Sequence, residues 1–350
     1  MGLFSSTSEN SFLGIDIGDS SLKMVELVKK NKKIVLNNYG FSENLSKTKF
    51  TAMEDPQSLA KIINKVKSDI GITCNKATVS LPSFAVFSSV INLYNVNKKN
   101  IAEYVNEEAR KVIPIPLEEM VLAWELISQG KNDGAADNNT KIFLTGSPKK
   151  LIKRYINIVS ASKMELANLE TETFSLIRSL LGDDKATTMI VDLGANSTDI
   201  CIVKESIPYL NRSINVCGST ITEAISQKLG LSYNKAEQLK YDLGVSMING
   251  SDADVPKIIL DAIKPIVNEI RYMLDLFRSS NNESVEKIIL TGGGSLLINL
   301  ANYLESALNI RVVVGDPWFR ISCPPELRPV LAEIGPKMAV AVGLALRSIK

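Results

Sequence analysis

Apolar and polar residues succeed one another along this chain in a pattern typical of a mixed α/β protein. Short apolar runs at residues 12–16, 23–28 and 33–39 predict three consecutive strands. Residues 56–70 carry apolar side chains three and four positions apart, which predicts an amphipathic helix, and residues 77–81 predict a fourth strand. The chain therefore begins as three strands, a helix and a strand.

The second half contains a related succession. Residues 189–191 and 199–203 predict a pair of strands, and residues 221–229, 232–244 and 258–278 predict helices. The segment VEKIILTGGGSLL then predicts a strand, a glycine turn and a helix, and KMAVAVGLALRS predicts a closing helix of small residues.

Residues 84–163 differ from both halves. A charged amphipathic helix at 101–112 is followed by the turn IPIP, by the strand-like segments VLAWELI and KIFLTG, and by a helix at 149–163. We expect these residues to form a small α+β subdomain inserted after Leu81.

One motif occurs twice. GIDIGDSSLKMVEL aligns with IVDLGANSTDICIV at a constant offset of 176 residues, so that Asp16 matches Asp192 and Gly18 matches Gly194. Each copy consists of an apolar strand, an acid, a glycine, a short polar loop and a second apolar strand. We therefore expect two halves of similar construction.

The repeated turns are suited to binding phosphate. Their glycines let a ligand approach the backbone, and backbone N–H groups with serine or threonine hydroxyls form an anion cradle. The predicted phosphate-binding residues are Gly18, Asp19, Ser20, Ser21, Lys23, Gly194, Asn196, Ser197 and Thr198. The strand-end carboxylates Asp16 and Asp192 are candidates for binding Mg²⁺ through water. An ordinary hairpin turn is the alternative for either copy taken alone.

The glycines Gly292, Gly293 and Gly294 stand between a predicted strand and a predicted helix. Such a junction lets a nucleotide lie against the backbone, and a simple tight turn is the alternative interpretation.

Composition narrows the choice of function. The 350 residues include 40 basic and 38 acidic side chains, so net charge gives no reason to expect nucleic acid as a partner. Histidine is absent, which excludes histidine bases and histidine metal sites, and the four scattered cysteines favour a reducing cytoplasm. No apolar run reaches the about 18 residues of a membrane span. Basic clusters at residues 29–33 and 149–154 are interpreted as solvated surface.

The two repeated turns and the glycine turn, in this order, resemble the phosphate 1, phosphate 2 and adenosine segments of the actin/Hsp70/sugar-kinase ATPase superfamily. GIDIGDSSLKMVEL, IPIPLEEMVLAWELI and the ending GLALR further resemble the PilM family of actin-like type IV pilus assembly proteins.

That resemblance implies an α/β, actin-like (duplicated ribonuclease H-like) ATPase fold with two lobes. Lobe 1 (subdomain 1A) would comprise residues 1–83 and 164–186, and the inserted 1C-type subdomain residues 84–163. Subdomain 2A of lobe 2 would comprise residues 187–231 and 286–350, and subdomain 2B residues 232–285.

The resemblance also implies ATP and Mg²⁺ in the cleft. The further nucleotide contacts would be Gly218, Glu237, Lys240 and Leu296. A surface ion pair is the alternative for Glu237 and Lys240. The first connecting helix of the family commonly begins with Asp, and the matching position here reads Glu170. Asp16, Asp192 and Glu170 are therefore the candidate catalytic residues of what is at most a slow ATPase.

Function is implied in the same way. The resemblance implies a cytoplasmic, ATP-binding adaptor of the pilus assembly platform, held peripherally at the inner membrane through partners. It would bind the N-terminal cytoplasmic peptide of a PilN-like membrane protein near residues 82–91 and the IPIP turn. Pilus assembly ATPases and a second copy of the chain are further expected partners.

Three other functions remain open at this point. An FtsA-like cell-division filament protein shares the inserted subdomain but carries a C-terminal membrane anchor, and this sequence ends directly after the GLALR helix. A sugar-kinase-type phosphotransferase needs a general base, which no residue here clearly supplies. The cytoplasmic part of a type II secretion protein would continue into a membrane span.

Overall fold

A computed structural model of the protein describes residues 11–18, 20–43, 55–94, 100–128, 139–245 and 254–349. The strands are β1 (Ser11–Ile17), β2 (Ser21–Lys30), β3 (Lys33–Glu43), β4 (Lys76–Leu81), β5 (Phe87–Tyr94), β6 (Met120–Ser128), β7 (Asn139–Pro148), β8 (Glu165–Thr171), β9 (Thr188–Leu193), β10 (Thr198–Lys204), β11 (Ile207–Ile214), β12 (Lys287–Thr291) and β13 (Arg311–Val314). The helices are α1 (Pro56–Asp69), α2 (Ile101–Val112), α3 (Lys149–Ala161), α4 (Glu172–Leu180), α5 (Gly218–Leu229), α6 (Tyr233–Leu243), α7 (Asp254–Asn281), α8 (Leu300–Leu308) and α9 (Arg328–Leu346).

Two sheets have the same topology. The first has the strand order β3-β2-β1-β4-β8, and the second has the order β11-β10-β9-β12-β13. In each, the first three strands are antiparallel neighbours and the last two join the central strand in parallel. The duplication expected from the repeated motif is therefore present in the topology.

Helices α4 and α9 pack together between the two sheets. Buried residues of α9 contact β2 on one side, and others contact α4 and the second sheet on the other. The approach is close, because a Cβ at Gly14 of β1 would lie 2.1 Å from the Ala341 carbonyl oxygen. Residues 325–346 are long and apolar enough to cross a membrane, but about two-thirds of that window is buried inside the fold.

Lobe 1 consists of the first sheet with α1 and α3 on its outer face. Leu59 and Ile63 of α1 share one apolar core with Tyr155 and Ile158 of α3 and with β1 and β4. The sequence-based boundary at residue 163 therefore needs correction, because α3 packs on lobe 1 and not within the insertion.

The inserted subdomain consists of α2 and an antiparallel sheet of order β5-β7-β6. Its own small core includes Val105 and Ala109 of α2 with Ile142 and Leu144 of β7. Helix and sheet together thus give the α+β composition that the sequence pattern predicted.

Lobe 2 consists of the second sheet covered by α5 to α8. Ile221, Ile259 and Ile270 belong to its core, together with the apolar strand residues that face these helices. A cleft opens between lobe 2 and the junction of lobe 1 with the insertion, and the repeated turn that follows β9 lines it. The matching turn follows β1.

Candidate functional site

Asp16, at the end of β1, is 2% exposed and is held by two side chains. Lys23, its partner across the β1–β2 pair, donates from Nζ to Asp16 Oδ2 over 2.9 Å. The Ser80 hydroxyl of β4 donates to Oδ1 over 2.9 Å. Burial alone would lower the pKa of Lys23, but the charge of Asp16 and its hydrogen bond raise it overall. Lys23 and Ser80 therefore offset the cost of burying this carboxylate.

The two repeated turns have the same backbone geometry. The Gly18 N–H donates to the Ser21 carbonyl over 3.0 Å, and the Gly194 N–H donates to the Ser197 carbonyl over 3.0 Å. A Cβ at Gly194 would lie 2.9 Å from the Ser197 oxygen, which explains why glycine occupies this position. The motif that is repeated in the sequence thus forms a turn with the same backbone hydrogen bond in both lobes.

The polar residues of these turns have different surroundings. Asn196 and Ser197 line the cleft, and Ser20 and Ser21 are half-buried in the first turn. Thr198 is fully buried and donates its hydroxyl proton to the Val216 carbonyl, so its side chain supports the loop. Asp19 lies outside the described residues.

Three glycine-containing segments of lobe 2 meet at the end of β9. The Gly218 N–H donates to the Gly194 carbonyl over 3.0 Å. Gly292 has a positive φ of 76°, and a Cβ there would lie 2.3 Å from Asp192 Oδ1. A Cβ at Gly294 would lie 2.8 Å from the Leu193 side chain. A side chain at Gly292 or Gly294 would collide with Asp192 or Leu193, so glycine keeps the surface beside these residues open.

Three further carboxyl groups crowd the inner end of the cleft. Asp192 pairs in register with Asp199 across β9 and β10. Burial, and next the charge of Asp199, raise the pKa of Asp192 to about 7. Glu172, the first residue of α4, accepts a hydrogen bond from the Ser83 N–H over 3.0 Å. Burial, followed by the charges of Asp16 and Asp199, raises the pKa of Glu172 well above its ordinary value.

Glu170, a predicted catalytic candidate, is engaged in a cluster of ion pairs with two arginines. Its carboxylate accepts hydrogen bonds from Arg178 over 2.6 Å and 2.7 Å, and it also pairs with Arg347 at the end of α9. Glu170 therefore ties β8 to α4 and α9. Glu172, two residues later, is the acid that lies with Asp192 and Asp199 in the cleft wall.

Glu237 and Lys240 form an ion pair next to Gly218 in which the lysine is buried and the glutamate is half-buried. Lys240 is 1% exposed, and its Nζ donates to Glu237 Oε2 over 2.7 Å, to Thr222 Oγ1 over 2.8 Å and to the Gly218 carbonyl over 3.1 Å. Burial lowers the pKa of Lys240, although the neighbouring Glu237 opposes this.

The glycine turn after β12 lies next to this cluster. The Lys240 Nζ is 4.8 Å from the ring centre of Tyr241, and the Lys337 Nζ is 5.9 Å from it on α9. A Cβ at Gly293 would lie 3.4 Å from the Tyr241 hydroxyl, and Leu296 is half-buried at the end of the same turn. The predicted ribose and adenine contacts are thus brought into one neighbourhood.

A cleft of about 450 Å³ opens between lobe 1 and lobe 2 beside the second turn. Ser83, Phe84 and Phe87 line it from the junction of lobe 1 with the insertion. Asn211, Arg212 and the polar turn at 196–199 line it from lobe 2. The cleft is large enough for a ligand and runs directly to the carboxyl cluster.

Sequence reasoning missed five residues of this site: Ser80, Glu172, Asp199, Tyr241 and Lys337. The position of Asp199 could have been predicted from the sequence, because a tight turn between β9 and β10 places it opposite Asp192. The role of Glu172 could not have been predicted, because the sequence does not show which of the two acids in LETET starts the helix. Ser80 and Lys337 approach from distant segments.

The carboxyl cluster fits a hydrated cation better than a fully protein-bound one. Among the described residues, no group of three or more His, Cys, Asp or Glu side chains is arranged to hold a metal ion. Mg²⁺ commonly keeps several waters and takes only one or two carboxylates. Burial, followed by the charge of Asp199, raises the pKa of Asp192 to about 7, so a bound cation would stabilise its charged form.

Comparisons with known proteins agree with this architecture. The family model described as "Type IV pilus assembly protein PilM" matches residues 14–349. The cell division protein FtsA of Streptococcus pneumoniae is 22% identical, over 88% of this chain and 76% of the relative. FtsA of Borreliella burgdorferi is 23% identical, over 97% of this chain and 91% of the relative.

Solved structures share the fold. The PilM-PilN type IV pilus biogenesis complex superposes with a TM-score of 0.83 at 24% identity, covering 97% of this chain and 98% of that chain. MreB5 of Spiroplasma citri bound to ADP superposes with a TM-score of 0.53 at 13% identity, covering 96% and 95%. The fold is therefore actin-like, as the resemblance in the sequence implied.

Proposed function

This chain belongs to the family of the type IV pilus assembly protein PilM, and on that premise we propose that it is an ATP-binding adaptor of the pilus assembly platform. It binds ATP with Mg²⁺ in the cleft between the lobes. It holds the N-terminal cytoplasmic peptide of a PilN-like membrane protein on or beside the inserted subdomain. It thereby works at the cytoplasmic face of the inner membrane.

The observation that supports the nucleotide proposal is the pair of turns with matching backbone geometry, one after β1 and one after β9. Each presents a glycine N–H turn next to a strand-end aspartate, and Lys23 on one side feels the charge of Asp192 on the other. Gly292 and Gly294 keep side chains away from the surface beside Asp192 and Leu193. This combination fits phosphates bound by backbone groups from both lobes.

Mg²⁺ would be held through water by Asp16 and Asp192. When bound, it supplies positive charge that neutralises phosphate oxygens. The positive charge of Mg²⁺ would offset negative charge at Asp192, whose pKa burial and the charge of Asp199 raise to about 7. Adenosine would contact Gly293, Leu296 and the Glu237–Lys240 cluster, with Tyr241 and Lys337 beside it.

We propose slow turnover at most. Glu172 is placed at the cleft, where burial, followed by the charges of neighbouring carboxylates, raises its pKa well above the ordinary value. Its carboxylate already accepts a hydrogen bond from the Ser83 N–H, which leaves it only partly available to orient an attacking water.

Isothermal titration calorimetry tests the nucleotide proposal. ATP should bind in the presence of Mg²⁺ and bind much more weakly with a chelator. Asp192→Asn should reduce the dependence on Mg²⁺, whereas Asp261→Asn, on an exposed helix position far from the cleft, serves as control. Absence of Mg²⁺-dependent binding to the folded wild-type protein would contradict the proposal.

Exposed apolar residues support a partner on the inserted subdomain. Among the described residues, eight of the seventeen exposed large apolar side chains lie between residues 84 and 126. Phe84 is 61% exposed and Ile115 is 40% exposed, near the expected peptide groove. Concentration of apolar surface in one part of a chain is typical of a protein interaction site.

The strand β6 shows how that surface arises. Met120 and Leu122 belong to the small core under α2, and Trp124 and Leu126 follow on the same face of the strand. Trp124 is 43% exposed and Leu126 39% exposed, so the core of the subdomain continues to the surface. An extended apolar peptide gains side-chain contacts on such a surface.

A pull-down and calorimetric titration with the N-terminal cytoplasmic peptide of the PilN-like protein encoded beside this chain tests the partner. Phe84→Ser should weaken binding about tenfold or more, as expected for an anchor residue. Phe319→Ser removes another aromatic residue that is 52% exposed, and should leave binding unchanged. Failure of the peptide to bind a nucleotide-competent protein would remove the adaptor proposal while leaving nucleotide binding intact.

The similarity to FtsA favours one second candidate, an ATP-dependent filament. Sedimentation with and without ATP separates the two candidates. Pelleting that depends on ATP and needs no peptide would favour the filament.

A further inference from the structure

Helices α1 and α3 together present a basic face on the outside of lobe 1. The face is defined by six basic side chains, five of them lysines: Lys61, Lys65, Lys149, Lys150, Lys153 and Arg154. Arg154 is half-buried and the five lysines are exposed. The whole chain is almost neutral, with 40 basic and 38 acidic residues, so this concentration is local.

The two helices lie side by side with their ends matched. α1 leads into β4 and α3 leads into β8, and these parallel strands pair with Lys76 opposite Glu165. Both helices also share the apolar core of lobe 1. Counted from the helix ends at Asp69 and Ala161, Lys61 and Lys153 each lie eight residues back, so basic side chains occupy the same part of both helices.

Few acidic residues lie on this surface, and the one whose charge interacts with it is Asp55, the N-cap of α1, beside Lys61. α3 contains no Asp or Glu, and α1 contains only Asp69, at its C-terminal end. Within the described residues, none of the six basic side chains forms an ion pair. Lys149 and Lys150 also occupy the first turn of α3, where the helix dipole disfavours positive charge. Local stability therefore does not account for these lysines.

We propose that the basic face of α1 and α3 docks directly on an anionic lipid bilayer. Two parallel helices give a broad, flat surface, and lysines bind a layer of headgroups by charge without fixed geometry. Ile156, on the outer side of α3, is 46% exposed between the basic side chains and can enter the headgroup region.

A nucleic acid fits the same charge less well. Single strands are usually bound by exposed aromatic residues together with basic ones, and bidentate recognition of nucleic-acid phosphates favours arginine over lysine. The one aromatic residue of the two helices, Tyr155, is fully buried, and five of the six basic residues are lysines. The occupant assigned here is therefore a bilayer surface.

Co-flotation with vesicles tests this interaction on the full chain. Vesicles of phosphatidylcholine and phosphatidylglycerol in a three-to-one ratio should bind the protein, and vesicles of phosphatidylcholine alone should not. A basic residue near an anionic surface strengthens binding about fivefold, so the triple change Lys61→Gln, Lys65→Gln and Lys153→Gln should weaken it about a hundredfold. Binding should also fall as salt is raised.

The matched control removes the same charge elsewhere. Lys30→Gln, Lys32→Gln and Lys33→Gln change three exposed lysines in and beside the β2–β3 turn and should leave vesicle binding unchanged. Equal loss in both triple variants, equal binding to neutral vesicles, or no binding by the wild-type protein would overturn the assignment. Binding to duplex DNA in place of vesicles would overturn it as well. Circular dichroism confirms that each variant is folded.

Discussion

Replacing Asp199 with Asn tests the electrostatics of the cleft most directly. Asp199 lies opposite Asp192 in the β9–β10 pair, and its charge is the second cause of the raised Asp192 pKa after burial. It also contributes to the raised pKa of Glu172. Asn keeps the shape and can still accept the Ser197 hydroxyl hydrogen bond that Asp199 Oδ2 receives over 3.0 Å. The substitution therefore removes mainly charge.

The expected magnitude follows from the geometry of the pair. Side chains directly opposite in an antiparallel pair are separated by about 5 Å. Two charges at that distance repel by about 1 to 3 kcal/mol for effective dielectric constants between about 20 and 80. Asp192 is half-buried at the edge of the cleft, which favours the lower part of this range.

The effect of Asp199→Asn on the free energy of unfolding depends on pH. The folded protein raises the pKa of Asp192 from 3.8 to about 7, so its folded state holds a proton more tightly than its unfolded state does. The stability supplied by this group is thus complete below pH 3.8 and is lost as the pH rises through about 7. Asp199→Asn should therefore raise the free energy of unfolding by about 1 to 2 kcal/mol at pH 8. The same substitution should change the free energy of unfolding little at pH 5, where Asp192 is mostly neutral.

Urea unfolding at pH 5 and pH 8, in the presence of a chelator, measures the effect. Asp184→Asn is the control of opposite sign, because hydrogen bonds from Lys287 and the Ala186 N–H lower the pKa of Asp184. That variant should lose stability at pH 8. If Asp199→Asn gave the same change at both pH values, or lowered stability at pH 8, repulsion in the cleft would not be the cause of the raised pKa.

Four further substitutions probe other parts of the site and its supporting fold. Lys240→Met should lower the free energy of unfolding by about 2 to 4 kcal/mol in urea, because Glu237 and two other acceptors lose their buried donor. Glu172→Gln should abolish slow ATP hydrolysis in a phosphate-release assay without changing the stability of the fold. Glu170→Gln should lower the melting temperature, because it breaks the ion pairs with two arginines. The reverse pattern would contradict the roles assigned to these two glutamates. Gly14→Ala should destabilise by about 1 to 3 kcal/mol in thermal unfolding, because the new Cβ would lie 2.1 Å from a backbone oxygen of α9; an unchanged melting temperature would show that α9 shifts freely.

Several features were accessible from local sequence because short-range physics determines them. The turns at Gly18 and Gly194 need a residue without a side chain and lie between apolar strands, so two copies of one motif predicted two copies of one turn. The strand and glycine turn at Gly292 likewise follow from an apolar run and adjacent glycines, although a short 3-10 turn at Gly293–Leu296 precedes the helix at Leu300. Amphipathic spacing predicted α1 and α2 for the same reason.

Other features depended on which segments meet in space. The pattern of residues 149–163 predicted a helix, but only packing against α1 and β4 assigns α3 to lobe 1. Glu170 and Glu172 are alike in sequence, and the arginines Arg178 and Arg347 decide that Glu170 serves as a tether.

The sequence by itself thus determined the duplicated turns, the glycines and the acids that stand beside them. Tertiary structure decided how these charges are compensated. Asp16 was predicted as a ligand of hydrated Mg²⁺, and in the fold Lys23 and Ser80 already hold it. Asp192 instead faces Asp199, and its pKa rises to about 7. The difference arises because electrostatic energy depends on distance and burial, which a sequence motif does not specify for residues brought together from separate strands.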